Sequence, residues 1–220
     1  KVNTIATSEG KSFSYAPDYK DWPISDNAAY VHYCPNETIQ GVAYHEIPNI
    51  NKPLIADASS VILSEPLDVN KFSLIYAGAQ KNIGPAGLTI VIIDRDFMEY
   101  ENPNIPNILK YSEHSLSESM LNTPPTFAWY MAGKVFKWIK DSGGLDYFKS
   151  QNHKKALKLY EFIDNSSFYS NNVDSVNRSI MNVPFLLAND DLDKTFLSEA
   201  EDNELINLKG HRSVGGMRAS

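Results

Sequence analysis

The stretch Phe72–Gly87, FSLIYAGAQKNIGPAG, decides the fold class of this chain. It begins as an apolar strand, passes through the small residues 77–79, and then presents Gln80 and Lys81 before a Gly-Pro-Ala-Gly turn. Small residues let a planar ligand approach the backbone, and glycines permit the sharp turn that follows. Because ligands in open α/β sheets bind at the carboxyl ends of the strands, the stretch predicts an α/β sheet with a lysine at its ligand-binding edge.

A lysine at such an edge is suited to covalent chemistry. An unperturbed lysine amine is almost wholly protonated at neutral pH, so a nearby cationic ring or partial burial has to favour the neutral form before the amine attacks. The alternative is a lysine that merely extends into solvent from the end of a strand. From this stretch alone, the two interpretations of Lys81 are equally favoured.

A second strand pattern, PLIADASS at residues 53–60, ends in a carboxylate. Asp57 precedes Lys81 by 24 residues, which is enough for a connection and a second strand, so both side chains can reach one pocket. Pyridoxal-phosphate (PLP) chemistry requires this pair: a lysine that forms the imine and a carboxylate that keeps the pyridine nitrogen protonated. The alternative for Asp57 is a helix N-cap or turn residue, and the spacing leaves both open.

The C-terminal residues 205–220 form a local basic cluster in a chain of net charge −7. They contain no acidic residue, whereas residues 190–204 are strongly acidic. Arginine offers a bidentate fork that matches carboxylate or phosphate. The cluster therefore indicates a small-anion site, with an ordinary solvated basic edge as the alternative; its members are Lys209, His211, Arg212 and Arg218.

Composition narrows the class of protein. Hydrophobic residues make up 42% of the 220 and charged residues 21%, so a packed core is expected. The negative charge argues against nucleic acid as a partner, and no apolar run reaches the roughly 18 residues of a membrane span. The single cysteine, Cys34, is expected to be buried in a strand and points to a cytoplasmic protein. The five histidines show no metal-binding motif, and no nucleotide-binding glycine motif occurs, so neither ligand is expected.

The order of apolar and polar segments predicts a mainly parallel α/β sheet domain followed by a smaller α+β domain. The division is expected between residues 1–145 and 146–220. LTIVII at 88–93 is apolar on both faces and predicts a strand covered by helices on both sides. Further strands are predicted at 28–34, 53–56, 72–77 and, interrupted at Pro184, 179–187; helices are predicted at 127–140, 145–163 and 192–200, with a basic strand closing the chain.

These segments together resemble one enzyme family. The matching blocks cover nearly the whole chain: HYCPNETIQG (32–41), IADASSVILSEPLDV (55–69), YAGAQKNIGPAGLTIVI (76–92), LNTPPTFAWY (121–130), NRSIMNVPF (177–185) and KGHRSVGGMRAS (209–220). They resemble the phosphoserine aminotransferases, class-V, fold-type-I PLP-dependent enzymes of serine biosynthesis. Family members extend beyond both ends of these blocks, so the chain is expected to be incomplete, with the N-terminal part of the large domain absent.

The resemblance implies a role for each matched residue. Lys81 is implied to form the covalent link to PLP, Asp57 to pair with the pyridine nitrogen, Thr38 to contact the ring and Gln80 the cofactor phosphate. Asn122 and Thr123 match residues that reach the cofactor of a neighbouring subunit, which implies a homodimer with shared active sites. The resemblance also implies that His211 and Arg212 hold the distal phosphate or carboxylate of the substrate, and that Arg218 clamps its α-carboxylate.

The implied activity is transfer of an amino group between glutamate and 3-phosphohydroxypyruvate, giving phosphoserine and 2-oxoglutarate. Bacterial members of the family also serve vitamin B6 synthesis, and the sequence leaves open whether this chain shares that step. Two alternatives remain: a PLP-dependent lyase or decarboxylase on the same fold, and an inactive fragment that lacks the upstream half of the site.

Overall fold

The computed structural model of the chain describes residues 2–220. Its strands are β1 (Val31–Tyr33), β2 (Asn36–Glu37), β3 (Val42–Ala43), β4 (Leu54–Asp57), β5 (Leu74–Gly78), β6 (Thr89–Ile93), β7 (Tyr169–Ser170), β8 (Val183–Leu187) and β9 (Met217–Ala219). Its α-helices are α1 (Arg95–Met98), α2 (Tyr111–Leu116), α3 (Thr126–Asp141), α4 (Gly144–Asp164) and α5 (Asp193–Asp202). The predicted helices at 127–140, 145–163 and 192–200 are confirmed as α3, α4 and α5.

The chain folds into two compact units that interleave in sequence. The lysine unit consists of Ile24–Cys34 and Pro48–Tyr147, whereas the C-terminal unit contains the residues up to Pro23, Pro35–Ile47 and Phe148–Ser220. The chain passes from one unit to the other between Tyr147 and Phe148, close to the predicted division at residues 145 and 146. Two segments of the predicted first domain, the residues up to Pro23 and Pro35–Ile47, cluster with the C-terminal unit. The assignment of all of 1–145 to one domain stays a prediction.

A four-stranded sheet in the order β1-β4-β5-β6 forms the centre of the lysine unit. β1 and β4, and β4 and β5, pair in parallel, while β6 is antiparallel to β5. Alternate residues of β1, β4 and β5 point to one buried face, as the two-residue period of a strand requires: Val31, Tyr33, Leu54, Ala56, Ile75 and Ala77. The mainly parallel sheet predicted from the sequence is therefore present.

The sequence-based expectation for β6 was wrong in one respect. The run LTIVII predicts a strand covered on both faces, but Val91 and Ile92 are 37% and 39% exposed. Within residues 2–220, β6 pairs with β5 alone and lies at the edge of the sheet. An apolar run of this length reports the polarity of a strand's surroundings but cannot specify which elements cover it.

The C-terminal unit has its own sheet and core. Its strands lie in the order β7-β8-β9, with both pairings antiparallel. The inward side of α4 packs against alternate residues of β8 and against β9, and the buried members of this cluster are Ala156, Tyr160, Ile163, Val183, Phe185, Leu187 and Met217. The small α+β arrangement predicted after α4 is therefore present.

Pro184 does not interrupt its strand, contrary to the prediction. It lies within β8 opposite Arg218 of β9. The Arg218 N–H donates to Leu208 O at 2.7 Å, away from β8, so this position of the ladder carries no β8–β9 hydrogen bond. On its other side, Pro184 O accepts from Asn171 Nδ2 at 2.6 Å. Proline is tolerated because its missing N–H removes no ladder bond there.

A bidentate ion pair joins the end of α4 to the segment before β8. Arg178 Nη1 and Nη2 donate to the two Asp164 oxygens at 2.6 and 2.8 Å, and the guanidinium carbon lies 4.7 Å from the Tyr160 ring centroid. Hydrogen bonding to Arg178 holds the pKa of Asp164 below its usual range. A carboxylate whose pKa is lowered by folding stabilises the protein at neutral pH, and that contribution is lost as the pH falls through the lowered value.

We expect Asp164→Asn to lower the free energy of unfolding by about 1 kcal/mol at neutral pH, because the Asp164 side chain is half exposed and solvent screens the pair. Denaturant unfolding measures this difference, which should disappear under acidic conditions that protonate Asp164 in both states. Asp141→Asn is the matched control, since the Lys137–Asp141 pair on α3 is 72% and 58% exposed. Equal losses for the two variants, or a difference that persists in acid, would contradict this account.

Candidate active site

Asp57 is the last residue of β4, at the carboxyl edge of the parallel strands. Its side chain is half buried, and its Oδ1 accepts a hydrogen bond from the Ser59 N–H at 3.0 Å. The Ser59 hydroxyl in turn accepts from the Gly78 N–H at 3.0 Å, which ties the loop after β4 to the end of β5. The carboxylate is therefore held at the sheet edge by a backbone donor from its own loop. The alternative role as a helix N-cap does not apply, since no helix begins there in the described chain. The alternative role as a turn residue does apply, because the Ser59 N–H bond, two residues on, is typical of a turn.

Lys81 lies in the turn that follows β5 and is half buried. The base of the turn is closed by the Ala79 N–H, which donates to Leu88 O at 2.8 Å. Next to the lysine, Asn82 Nδ2 donates to Ile62 O at 2.9 Å. These bonds fix the backbone on both sides of Lys81, so its side chain projects from a constrained turn.

Small residues in the stretch 77–79 have a specific structural reason. A Cβ placed on Gly78 would lie 2.5 Å from Gln80 Oε1, so a larger residue would displace the end of the Gln80 side chain. Ala77 and Ala79 pack with Ile83, which is fully buried, in one core cluster. The turn that carries Lys81 is thus anchored in the core two residues later.

The structure brings Asp57 and the Lys81 turn to the same edge of the sheet. β4 and β5 are parallel neighbours, and Asp57 lies directly opposite Tyr76 in their ladder. β5 ends two residues after Tyr76, and the turn with Gln80 and Lys81 follows. A carboxylate at the end of one strand and an amide and an amine just after the next therefore lie at adjacent strand ends; that their side chains reach one pocket stays a prediction.

Asn122 and Thr123 lie in the same unit but in a different setting. Both are exposed, in the segment that leads into α3, and Asn122 Nδ2 donates to Thr123 O at 3.2 Å. Their exposure leaves both side chains accessible from outside the lysine unit.

Thr38 belongs to the C-terminal unit, on the tight turn between β2 and β3. Glu37 shapes this turn, because its two carboxylate oxygens accept from the Ile39 and Gln40 N–H groups at 2.9 and 2.7 Å. Gly41 closes the turn with a φ of +72°, a conformation in which L side chains are strained.

His211 and Arg212 occupy the tip of a loop that precedes β9. The base of the loop is closed by the Lys209–Met217 bridge and by the Gly210 N–H, which donates to Gly216 O at 2.8 Å. At the tip, the ring nitrogen Nδ1 of His211 lies 2.7 Å from the Ser213 hydroxyl. Arg212 is exposed, so its guanidinium can meet an anion from solvent.

Arg218 of β9 and Thr38 lie close together within the C-terminal unit. Arg218 Nη1 donates to Thr38 O at 3.4 Å. A hydrogen-bonded polar network supports both segments: Asn36 Nδ2 donates to Asn182 Oδ1 at 2.8 Å, and Asn182 Nδ2 donates to the Ser220 hydroxyl at 3.1 Å. Three blocks that are far apart in sequence therefore meet near Thr38 and Arg218.

Several residues around Asp57 were missed at the level of sequence, and one was misjudged. The motif PLIADASS contains Ser59 without indicating that it holds the carboxylate, and the strand patterns contain His32 and Tyr76 without indicating a role for either. The alternation of polar and apolar residues in β1 and β5 could have shown that His32 and Tyr76 share the face of Asp57. Cys34 was expected to be buried, but it is exposed just after β1.

Membrane spans and metal clusters are both absent from the described residues, 2–220. No helix among them is both long enough and apolar enough to cross a bilayer. Nor does any group of three or more His, Cys, Asp and Glu side chains in that range have the arrangement of a metal site.

Comparison with known proteins relates this geometry to a family. The sequence profile described as aminotransferase class-V matches residues 2–220. A phosphoserine aminotransferase from Hahella chejuensis is 54% identical over 221 aligned residues, which cover 100% of this chain and 61% of that protein. The chain therefore spans about three-fifths of the length of this relative.

Solved structures agree with the sequence match. Phosphoserine aminotransferase from Bacillus circulans subsp. alkalophilus superposes with a TM-score of 0.96 at 44% identity, covering 99% of this chain and 61% of that one. PLP-bound phosphoserine aminotransferase from Trichomonas vaginalis superposes with a TM-score of 0.94 at 40% identity, covering 100% of this chain and 63% of that one. The α/β fold of this chain is the fold of PLP-dependent aminotransferases.

Proposed function

This chain belongs to the aminotransferase class-V family, and on that premise we propose that it carries active-site residues of a PLP-dependent phosphoserine aminotransferase. The reaction would transfer an amino group between glutamate and 3-phosphohydroxypyruvate, giving phosphoserine and 2-oxoglutarate. The observation that carries the proposal is that Asp57 ends β4 and that Lys81 lies in the turn after β5, the parallel neighbour of β4. The proposal is also supported by the 54% identity of this chain to a phosphoserine aminotransferase.

The residues of the lysine unit fit PLP. When bound, PLP supplies an aldehyde that takes up the amino group and a ring that accepts the electrons released at the substrate Cα. Lys81 Nζ would hold the cofactor covalently and, once displaced by the substrate, move the proton at Cα. Asp57 would keep the pyridine nitrogen protonated, and the Gln80 amide would donate to the cofactor phosphate.

The C-terminal unit supplies residues suited to the anionic substrates. Arg218 would pair with the α-carboxylate through its guanidinium fork, and Thr38 would contact the ring. His211 and Arg212, on an exposed loop, would accept either the side-chain carboxylate of glutamate or the phosphate of the other substrate. One flexible donor pair suits both ligands, because each presents oxygen anions at its distal end.

We further propose a homodimer that shares its active sites, with Asn122 and Thr123 donating to the cofactor phosphate of the neighbouring subunit. The proposal is supported by the exposure of both residues in the segment before α3. A cytoplasmic location, expected from the single cysteine, stays a prediction, as does participation in vitamin B6 synthesis.

The test is product analysis with purified protein, produced with any sequence that flanks the chain in its gene. Incubation with PLP, glutamate and 3-phosphohydroxypyruvate should yield phosphoserine and 2-oxoglutarate in equal amounts. Release of carbon dioxide, or cleavage of the amino acid without an amino acceptor, would indicate a decarboxylase or lyase instead. Absence of any turnover in protein that has bound PLP would contradict the proposal.

A substitution at Arg218 links the assay to the site. We expect Arg218→Lys to raise the KM for glutamate roughly tenfold or more, because lysine cannot form the bidentate pair with a carboxylate. Steady-state kinetics measures this, and Arg95→Lys at the exposed start of α1 serves as the matched control. An unchanged KM in Arg218→Lys would remove Arg218 from the proposed site.

A further inference from the structure

A polar pair lies beside Asp57 on the same face of the sheet in the lysine unit. Tyr76 of β5 is directly opposite Asp57 in the parallel ladder. His32 of β1 reaches across β4, so that its Nε2 lies 3.0 Å from the Tyr76 hydroxyl oxygen. The two rings are stacked, with centroids 5.9 Å apart and planes inclined by 22°. Residues from three adjacent strands thus form one connected group.

The direction of each hydrogen bond follows from the single proton of a phenol. Tyr76 is the direct neighbour of Asp57 across the ladder, and burial, followed by the charge of Asp57 and hydrogen bonding to its side chain, raises the pKa of Tyr76. An ionised carboxylate only accepts hydrogen bonds, so the Tyr76 hydroxyl is the donor toward Asp57. His32 must then donate to the phenol oxygen through the hydrogen on its Nε2.

Asp57 is therefore the acceptor at the end of a chain of donors from His32 through Tyr76. It also accepts from the Ser59 N–H at 3.0 Å. Hydrogen bonds to a carboxylate restrict its rotation. The exposed side chain of His32 and the half-buried side chain of Tyr76 add little to the core, so packing alone does not account for this polar arrangement.

We propose that Tyr76 and His32 are positioning residues for Asp57, holding its carboxylate correctly oriented toward the pyridine nitrogen of the cofactor. The inference rests on the proposed function, since it gives Asp57 its purpose. Neither residue touches the reacting atoms; both act through Asp57. Their loss should therefore weaken cofactor binding and slow turnover without a comparable effect on substrate affinity.

Tyr76→Phe tests the inference because it keeps the ring and its stacking but removes the hydroxyl. We expect the dissociation constant for PLP, measured by absorbance titration of the apoprotein, to rise about tenfold, the effect of one hydrogen bond to a charged group. The kcat should fall by about the same factor, while the KM for glutamate stays within about twofold. The PLP dissociation constant is the decisive readout, because it does not depend on turnover.

His32 provides an independent second variant. His32→Leu should weaken PLP binding severalfold, since the phenol then lacks its donor. His32→Gln should restore most of the affinity, because the glutamine amide can donate from nearly the same place. If Tyr76→Phe fails to fold, this pair of variants decides the question. Equal affinity in His32→Leu and wild type would overturn the role of His32.

Tyr160→Phe is the matched control for the loss of a phenol hydrogen bond. The Tyr160 hydroxyl donates to Ser179 O at 2.8 Å in the C-terminal unit. This variant should lower the thermal midpoint of the apoprotein without changing the dissociation constant for PLP. Equal weakening of PLP binding in Tyr160→Phe and Tyr76→Phe would mean a general loss of stability and would overturn the inference.

The outcomes separate this inference from the proposed function. If the wild-type protein binds PLP and transaminates, and Tyr76→Phe has the same dissociation constant for PLP as wild type, the positioning role alone is overturned. Wild-type protein that neither binds PLP nor transaminates would overturn the proposed function, and the inference with it. Tenfold weaker PLP binding in Tyr76→Phe, with an unchanged thermal midpoint, is the result we expect.

Discussion

Replacing Lys81 with alanine is expected to abolish transamination. The variant loses both the amine that would hold PLP covalently and the base that would move the proton at the substrate Cα. General acid–base catalysis alone contributes about 10²- to 10⁴-fold, so kcat should fall by at least roughly 10³-fold. Phosphoserine formation under saturating PLP measures the loss.

The fold should survive this change, because the Lys81 turn is held by the backbone bond from Ala79 to Leu88 and by the buried Ile83. Circular dichroism checks that expectation. Lys71→Ala, an exposed lysine of the same unit, is the matched control and should keep full activity. Near-normal turnover in Lys81→Ala would refute the assignment of Lys81.

Replacing Asp57 with asparagine is expected to lower kcat/KM by about 10²- to 10³-fold. The amide keeps the shape of the side chain and an oxygen that can accept from the Ser59 N–H, but it cannot balance a protonated pyridine nitrogen. Loss of one partner from a hydrogen-bonded charge pair costs about 3–4 kcal/mol, which corresponds to that range of rates. Steady-state kinetics at saturating PLP measures the effect.

Asp96→Asn, at an exposed carboxylate of α1, controls for the general effect of removing one negative charge. It should leave kcat/KM within about twofold of wild type, as expected for a surface substitution far from the site. If both asparagine variants lose little activity, the carboxylate at the end of β4 does not interact with the cofactor.

The sequence predicted the parts of the fold that depend on local pattern. The strands that end at Asp57 and before Lys81 are short apolar runs followed by polar or small residues, and β4 and β5 occur where these runs lie. The helices α3 and α4 follow from periodicity and from the Gly143–Gly144 break. Such features involve neighbours in sequence, which is why one sequence is sufficient to locate them.

Features that depend on distant contacts could not be predicted. The interleaving of the two units arises because Pro35–Ile47 clusters with residues after Tyr147, and no pattern in that segment reports this. The exposure of β6 and of Cys34 likewise depends on which elements lie nearby. Pro184 fits inside β8 only because the N–H of its partner, Arg218, points away from that strand.

The candidate site was predicted unevenly for the same reason. Asp57, Gln80 and Lys81 follow strands, so their common edge could be inferred from strand order. The supporting contacts could not: alternation puts Tyr76 on the face of Asp57 but does not show that the two are neighbours across the ladder, and Asn36 reaches Asn182 over a separation of 146 residues. The roles of Thr38, Asn122, Thr123, His211, Arg212 and Arg218 came from the family resemblance and stay predictions.

The covalent attachment point of the cofactor tests the central claim most directly. The protein, saturated with PLP, is reduced with borohydride, digested, and its peptides are mapped by mass spectrometry. The account predicts that the reduced cofactor is found on the peptide that contains Lys81 and that Lys81→Ala protein carries none. Cofactor attached to a different lysine, or retained through reduction while Lys81 stays unmodified, would contradict it.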